Sequence, residues 1–150
     1  MNRIIVLDTG VLAMVTNPKA SPEIEACHHW IQSLIQQGDY LALPEIVDYE
    51  LRRELLRAQK TRGLMRLDAF KTVSLYLPIT TPIMLKAAEL WANVRMQGKP
   101  TADAQSLDGD VILAAQAYFL SKTGYDAIVA TTNVKHLALF IDARKWDDIT

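Results

Sequence analysis

The sequence has a single cysteine, Cys27, among 150 residues, which excludes an internal disulfide framework and a cysteine-rich zinc site. It also lacks any apolar run near the roughly 18 residues that a membrane span requires. The apolar run that starts at Ile4 is interrupted at Asp8, too early for the core of a signal peptide. These absences favour a protein of the reducing cytoplasm that contacts no membrane.

Several common catalytic motifs are missing as well. There is no Gly-x-Gly-x-x-Gly or Walker loop for phosphates and no Gly-x-Ser-x-Gly nucleophile elbow. His28 and His29 are adjacent, so they point to different sides of a helix and have no partners at ligand spacing. We interpret both as surface or core residues. His136 follows the turn at Asn133, from which it could reach a site at the end of the preceding strand, but the favoured interpretation is a plain loop histidine.

The composition, 50% hydrophobic and 22% charged, is typical of a globular protein, and the length predicts one domain over residues 1–150. A net charge of −1 does not indicate nucleic-acid binding. The basic segment, residues 52–66, carries six cations and only one acid, Glu54. A phosphate-facing surface through Arg52, Arg53 and Arg57 is one interpretation of this segment, and a solvated helix face is the other.

Short apolar runs alternate with stretches of helical periodicity. The run from Arg3 to Leu7 is continuously apolar after its first residue, as in a strand that is buried on both faces of a parallel sheet. We predict further strands and helices in the order helix Pro22–Gln37, strand Tyr40–Leu43, a helix from Pro44, strand Thr72–Leu77, helix Thr81–Gln97, loop Gly98–Ser106, helix Leu107–Ser121, strand Ala127–Thr131 and a final strand or turn at Trp146–Ile149. This order predicts an α/β fold, Rossmann-like, with a mainly parallel sheet of four to five strands flanked by helices.

Acidic residues occur where such a fold would gather them. Asp8 ends the first strand, where ligands of parallel sheets bind, although an Asp at this place is as often a simple cap. Glu50 falls about 60° from Val47 around its helix, at the edge of the predicted buried face. Glu54, one turn later, is the other candidate for the site, and its alternative role is an ion pair with Arg53 or Arg57.

Two acids, Asp108 and Asp110, stand at the predicted start of an otherwise apolar helix. One of them is explained by the helix dipole, and two exceed what capping requires. If Asp8, Glu50 and Asp110 share a pocket, they need a counter-charge, which a hard cation such as Mg²⁺ or Mn²⁺ provides. We therefore predict a metal site formed by these three acids and Asp108. Three polar groups would hold the carboxylates or metal-bound water in position: Thr9, Thr131 and Asn133.

These residues resemble the PIN domain, in particular the short bacterial kind that includes VapC-type toxins. The matching pieces are Ile-Val-Leu-Asp8-Thr9, the Glu50-Leu-Arg-Arg-Glu-Leu helix, Asp110-Val-Ile-Leu-Ala-Ala-Gln-Ala and Ile-Val-Ala-Thr131-Thr-Asn133. The resemblance implies a Mg²⁺- or Mn²⁺-dependent endoribonuclease, frequent homodimerisation and neutralisation by a cognate antitoxin. It carries Asp8, Glu50 and Asp110 over as the main acids. The family often has a further acid after the last core strand, where this chain has none.

That missing acid keeps a second hypothesis open, a catalytically weak or inactive PIN-like module that binds RNA or another partner. A third hypothesis, a receiver-like phospho-acceptor at Asp8, is disfavoured because the chain lacks the early acidic pair and late lysine of such domains. The apolar helix Pro82–Gln97 is the predicted dimer face.

Overall fold

The computed structural model describes residues 3–98 and 104–150, and side chains from residue 107 onward in the second stretch. It contains five strands and seven α-helices within these residues. Their bounds, in chain order, are β1 Arg3–Leu7, α1 Thr9–Thr16, α2 Pro22–Gln36, β2 Tyr40–Pro44, α3 Glu45–Arg57, α4 Thr61–Val73, β3 Leu75–Leu77, α5 Thr81–Met96, α6 Ala104–Ser121, β4 Asp126–Thr131, α7 Val134–Leu137, β5 Ala143–Lys145 and a 3-10 helix Trp146–Asp148.

All five strands are parallel, in the order β3-β2-β1-β4-β5. The central strand β1 pairs with β4 from Arg3 against Asp126 to Leu7 against Ala130. Four of its five residues are buried, as the continuous apolar run predicts. Strand order reverses between β1 and β4, so a crevice forms at their carboxyl ends. The predicted α/β, mainly parallel fold is confirmed.

Local signals set several helix ends as expected. Ser21 caps α2 by accepting a hydrogen bond from the Ile24 amide at 3.2 Å, with Pro22 in the first turn. Helix α5 begins at Thr81 as predicted, and the hydroxyl of the preceding Thr80 caps it by accepting from the Ile83 amide at 3.4 Å.

Two boundaries were predicted wrongly. Thr72 belongs to the last turn of α4, and β3 begins only at Leu75, because the helical stretch after the break at Gln59 (φ 55°) runs on. Helix α6 begins at Ala104, earlier than expected, while residues 99–103 of the predicted loop lie outside the described residues. Near the carboxyl terminus, the strand or turn predicted at Trp146–Ile149 is a turn, the 3-10 helix Trp146–Asp148, and the last strand, Ala143–Lys145, comes just before it.

The core lies on both faces of the sheet and is almost entirely aliphatic. Within residues 3–98 and 104–150, none of the helices has the length and apolar character to span a bilayer.

Candidate metal centre

The candidate site lies at the carboxyl ends of β1 and β4, where the strand order reverses. Asp8 directly follows β1, and Thr131 is the last residue of β4. The Asp8 amide donates to the carbonyl of Ala130 at 3.0 Å, which continues the parallel pairing one residue past β1. The two strand ends are therefore held side by side by the backbone itself.

Both oxygens of the Asp8 carboxylate are hydrogen-bonded. Its Oδ1 accepts from the Thr9 amide at 2.8 Å, and its Oδ2 accepts from the hydroxyl of Thr131 at 2.7 Å. Thr131 is fully buried, so this contact fixes the carboxylate against the end of β4. Each oxygen retains a lone pair, so capping of α1 and metal binding are compatible roles for Asp8.

Glu50 reaches the same place from helix α3. Its Oε1 accepts from the hydroxyl of Thr9 at 2.9 Å. Its Oε2 lies against helix α6 at Gly109, where an added Cβ would come within 2.6 Å of it. The side chain is partly buried. Two neighbouring residues, Asp8 and Thr9, thus bind the end of β4 and the acid of α3, respectively.

Asp110 extends from the second turn of helix α6 into this cluster. The pKa of its carboxyl is raised to about 6, first by burial, then by the negative charge of Asp8 and less by that of Glu50, while the positive charge of His136 opposes the increase. The charges of both other acids act on this carboxyl, and Gly109, the residue before Asp110, lies against the carboxylate of Glu50. Asp8, Glu50 and Asp110 are therefore brought together from three distant parts of the sequence.

The donor chemistry fits Mg²⁺ or Mn²⁺. The three groups supply only carboxylate oxygens, and burial together with the negative charges of Asp8 and Glu50 raises the pKa of Asp110. A divalent cation would offset this repulsion. Among the residues that the structure describes, no three His, Cys, Asp or Glu side chains close tightly enough to enclose an ion by themselves. Mg²⁺ is commonly bound through one or two carboxylates and keeps several of its waters.

Asp108 does not join the cluster, contrary to the prediction. It is exposed and lines a shallow groove with Met84 and Trp91 of helix α5. Because α6 begins at Ala104, residues 108 and 110 sit inside the helix, about 200° apart around its axis. The sequence prediction placed both at the helix start, where their directions would not have been fixed.

Asn133 has a different use from the predicted one. Its side-chain oxygen accepts from the Lys135 amide at 3.2 Å and so caps α7. Its backbone amide donates to the hydroxyl of Thr131 at 3.1 Å, which orients the group that holds Asp8. The contribution of Asn133 to the site is thus indirect.

His136 was undervalued by the sequence interpretation. Helix α7 brings it close enough to Asp110 for its charge to lower the pKa of that carboxyl. The sequence could have indicated this, because His136 lies only five residues after the end of β4, in the segment that follows Thr131.

The predicted RNA-binding arginines divide into two kinds. Arg52 is held within the protein by Asp48 at 3.0 Å and Asp68 at 2.9 Å, and Asp48 is buried. The guanidinium of Arg52 thus joins α3 to α4, and RNA binding by Arg52 stays a prediction. Arg53 and Arg57 are exposed.

Arg53 lies over the ring of Tyr49 at 5.0 Å, and Arg57 pairs with Glu54 at 2.9 Å. The ion pair predicted as the alternative role of Glu54 is thus confirmed. Exposed contacts of this kind are weak, typically under about 1 kcal/mol, so both guanidinium groups remain accessible to a phosphate.

Comparison with known proteins places this geometry in a known fold. No family model matches the chain, and no curated protein matches its sequence. Similar solved structures include VapBC2 from Rickettsia felis bound to a DNA fragment from their promoter, with TM-score 0.73, 18% identity and coverage of 96% of this chain and 99% of that chain.

Two further structures are alike over almost their whole length. FitAcB from Neisseria gonorrhoeae has TM-score 0.68 at 22% identity, covering 97% of this chain and 99% of that one. VapC20 from Mycobacterium tuberculosis, a toxin that cleaves the sarcin-ricin loop, has TM-score 0.60 at 19% identity, covering 93% and 98%. These likenesses establish the fold, so the resemblance to VapC-type PIN domains is confirmed at that level.

Proposed function

We propose that this protein is a Mg²⁺- or Mn²⁺-dependent endoribonuclease that hydrolyses RNA phosphodiester bonds in the cytoplasm. The observation that carries the proposal is the meeting of Asp8, Glu50 and Asp110 at the switch point of a parallel sheet. The similar fold of VapC20, which cleaves the sarcin-ricin loop, supports RNA as the substrate class.

One or two of the three carboxylates would hold the ion, which would keep several of its waters. Thr131 and Thr9 would keep the carboxylates of Asp8 and Glu50 in place. When bound, the ion lowers the pKa of an attacking water and stabilises charge on the phosphoryl oxygens. A carboxylate of the cluster that does not ligate the ion would accept the proton of that water. Arg53 and Arg57 would contact the RNA backbone as exposed cations.

A direct test incubates the purified protein with single-stranded RNA in EDTA, Mg²⁺ or Mn²⁺. We expect cleavage only with metal, and its loss in Asp8→Asn, which removes the charge of this carboxylate but keeps its size. Equal cleavage in EDTA, or by Asp8→Asn, would refute the proposal.

We also propose that the protein is the toxin of a toxin–antitoxin pair. This rests on its likeness to VapBC assemblies. The product of the neighbouring gene, if it is a small DNA-binding protein with a carboxyl-terminal tail, is expected to co-purify with this chain and to abolish cleavage. A neighbouring gene of another kind, or one whose product leaves cleavage unchanged, would contradict this role.

The predicted homodimer remains part of the proposal. Helix α5 packs against α6 on one side and exposes Leu85 at 68% and Met96 at 77% of their surfaces, which would offer an apolar surface to a second copy. Sedimentation equilibrium should give twice the chain mass, and Leu85→Glu should return it to the chain mass. A wild-type monomer at micromolar concentration would argue against the dimer.

One observation favours the alternative of a catalytically weak RNA-binding module. The segment after β4 has no acid, and the side chain of Asn133 caps α7. This alternative predicts RNA binding that survives Asp8→Asn and falls with salt, without cleavage under any metal condition.

A further inference from the structure

Gly109 occupies an unusual position, inside helix α6 and next to Asp110. Glycine is among the least favourable residues in a helix interior. Its backbone does not require glycine, because the glycines with positive φ are Gly38, Gly98 and Gly124, which follow helices. Gly109 is also buried. The reason for a glycine here must lie in what surrounds it.

The surroundings of Gly109 are occupied by the acid of helix α3. A Cβ at this position would lie 2.6 Å from Oε2 of Glu50, 3.3 Å from its Cδ and 3.6 Å from its Oε1. Real Cβ atoms essentially never come within 3.0 Å of another heavy atom. The carboxylate therefore fills the space that any other residue at 109 would take.

The other side of the same carboxylate is fixed by Thr9, whose hydroxyl donates to Oε1 at 2.9 Å. Glu50 is thus held between the first residue of α1 and the backbone of α6. A Cβ at residue 109 would therefore push the Oε2 side of this flexible carboxylate away from α6.

We propose that Gly109 is a positioning residue, whose missing side chain lets the Glu50 carboxylate lie against helix α6 and face the metal together with Asp8 and Asp110. The inference rests on the proposed metal-dependent function and adds to it a requirement on residue 109. With alanine at 109, Glu50 turns away and two acids remain at the site.

The test compares Gly109→Ala, Glu50→Ala and the double variant with the natural protein. Gly63→Ala is the matched control, because Gly63 is also buried inside a helix and its added Cβ would lie 2.9 Å from a side-chain tip, Cδ2 of Leu55. Mn²⁺ affinity is measured by calorimetry, and thermal midpoints are measured in EDTA.

We expect Gly109→Ala to weaken Mn²⁺ binding at least tenfold, while Gly63→Ala changes it less than twofold. In the Glu50→Ala background, Gly109→Ala should have less than a twofold effect. In EDTA, Gly109→Ala should raise the thermal midpoint more in the Glu50→Ala background than in the natural protein. Alanine favours the helix in both backgrounds, but only the natural protein loses the hydrogen bond between Thr9 and Glu50. Equal Mn²⁺ affinities of Gly109→Ala and the natural protein would overturn the inference.

If Gly109→Ala fails to fold, the double variant decides: folding supports a collision with Glu50, and failure to fold overturns it. No Mn²⁺ binding by the natural protein would refute the proposed function instead. In that event the midpoints in EDTA still determine whether residue 109 fixes Glu50, and equal shifts in the two backgrounds would show that it does not.

Discussion

The acids Asp8, Glu50 and Asp110 come from three distant parts of the chain and lie close together in the fold. In the basic segment, residues 52–66, the cations are neighbours in sequence, but their side chains contact different parts of the protein. Asp8 and Glu50 both accept hydrogen bonds from Thr9, and Glu50 lies against helix α6, which carries Asp110. Within the basic segment, Arg52 turns inward to Asp48 and Asp68, and Arg57 turns to Glu54 on its own helix.

The difference shows which kind of functional surface a sequence determines. Parallel strands bring their carboxyl ends to one edge, so an acid that ends a buried strand has its place set by the backbone. A cation on an amphipathic helix has no such constraint, because its partner depends on how that helix packs against the next one. Charge clustering in sequence is therefore a weaker guide than position at a strand end.

The largest expected effect comes from the acids of the cluster. Asp8→Asn and Asp110→Asn should each lower metal-dependent RNA cleavage at least about 100-fold, since each removes a charged ligand. Asp108→Asn, on the same helix but facing α5, should stay within about twofold. Initial rates on a fluorescent single-stranded RNA measure all three. A loss in Asp108→Asn as large as that in Asp110→Asn would restore the original prediction for Asp108.

The pH dependence of stability should also distinguish the cluster. The folded-state pKa of Asp110 is about 6 against the ordinary 3.8, so the folded protein holds this proton more tightly than the unfolded chain. The contribution of this group to stability is thus largest below pH 4 and falls as pH rises towards 6, by about 1–3 kcal/mol in all.

Urea unfolding in EDTA at pH 4 and pH 7 tests this expectation. From pH 4 to pH 7, the free energy of unfolding should fall less in Asp110→Asn than in the natural protein. At pH 7, Mn²⁺ should restore stability only where the cluster is intact. The same loss in both proteins would mean that Asp110 does not titrate abnormally.

Within the basic segment, Arg52→Ala should act on stability. It leaves the buried Asp48 without its main partner, at a cost of about 1–3 kcal/mol in the free energy of unfolding. Arg53→Ala, one residue away and exposed, should change it by less than about 0.5 kcal/mol. Chemical denaturation compares the two, and similar values would contradict the inward role of Arg52.

The smallest effect is expected on RNA affinity. Replacing Arg53 and Arg57 together by alanine should weaken binding of uncleaved RNA severalfold and reduce its salt dependence, since two phosphate contacts are lost. Fluorescence anisotropy in EDTA at several salt concentrations measures it. Unchanged salt dependence would place the RNA path elsewhere on the surface.

Much of the fold was predictable because its signals are local. The continuous apolar run before Asp8 and the cap at Ser21 each depend on a few adjacent residues. The break at Gln59 carries no glycine or proline, so the boundary between α3 and α4 had no such signal. Asp108 lies outside the carboxylate cluster because of where α6 begins, and His136 acts on Asp110 because of how α7 packs. Neither feature can be predicted from a few adjacent residues.

Calorimetric titration of Mn²⁺ into metal-free protein at pH 7.5 tests the central claim most directly. The account predicts saturable binding by the natural protein and affinities at least about tenfold weaker in Asp8→Asn, Glu50→Gln and Asp110→Asn. Binding that is absent from the natural protein, or unchanged in all three variants, would contradict a metal centre at these carboxylates.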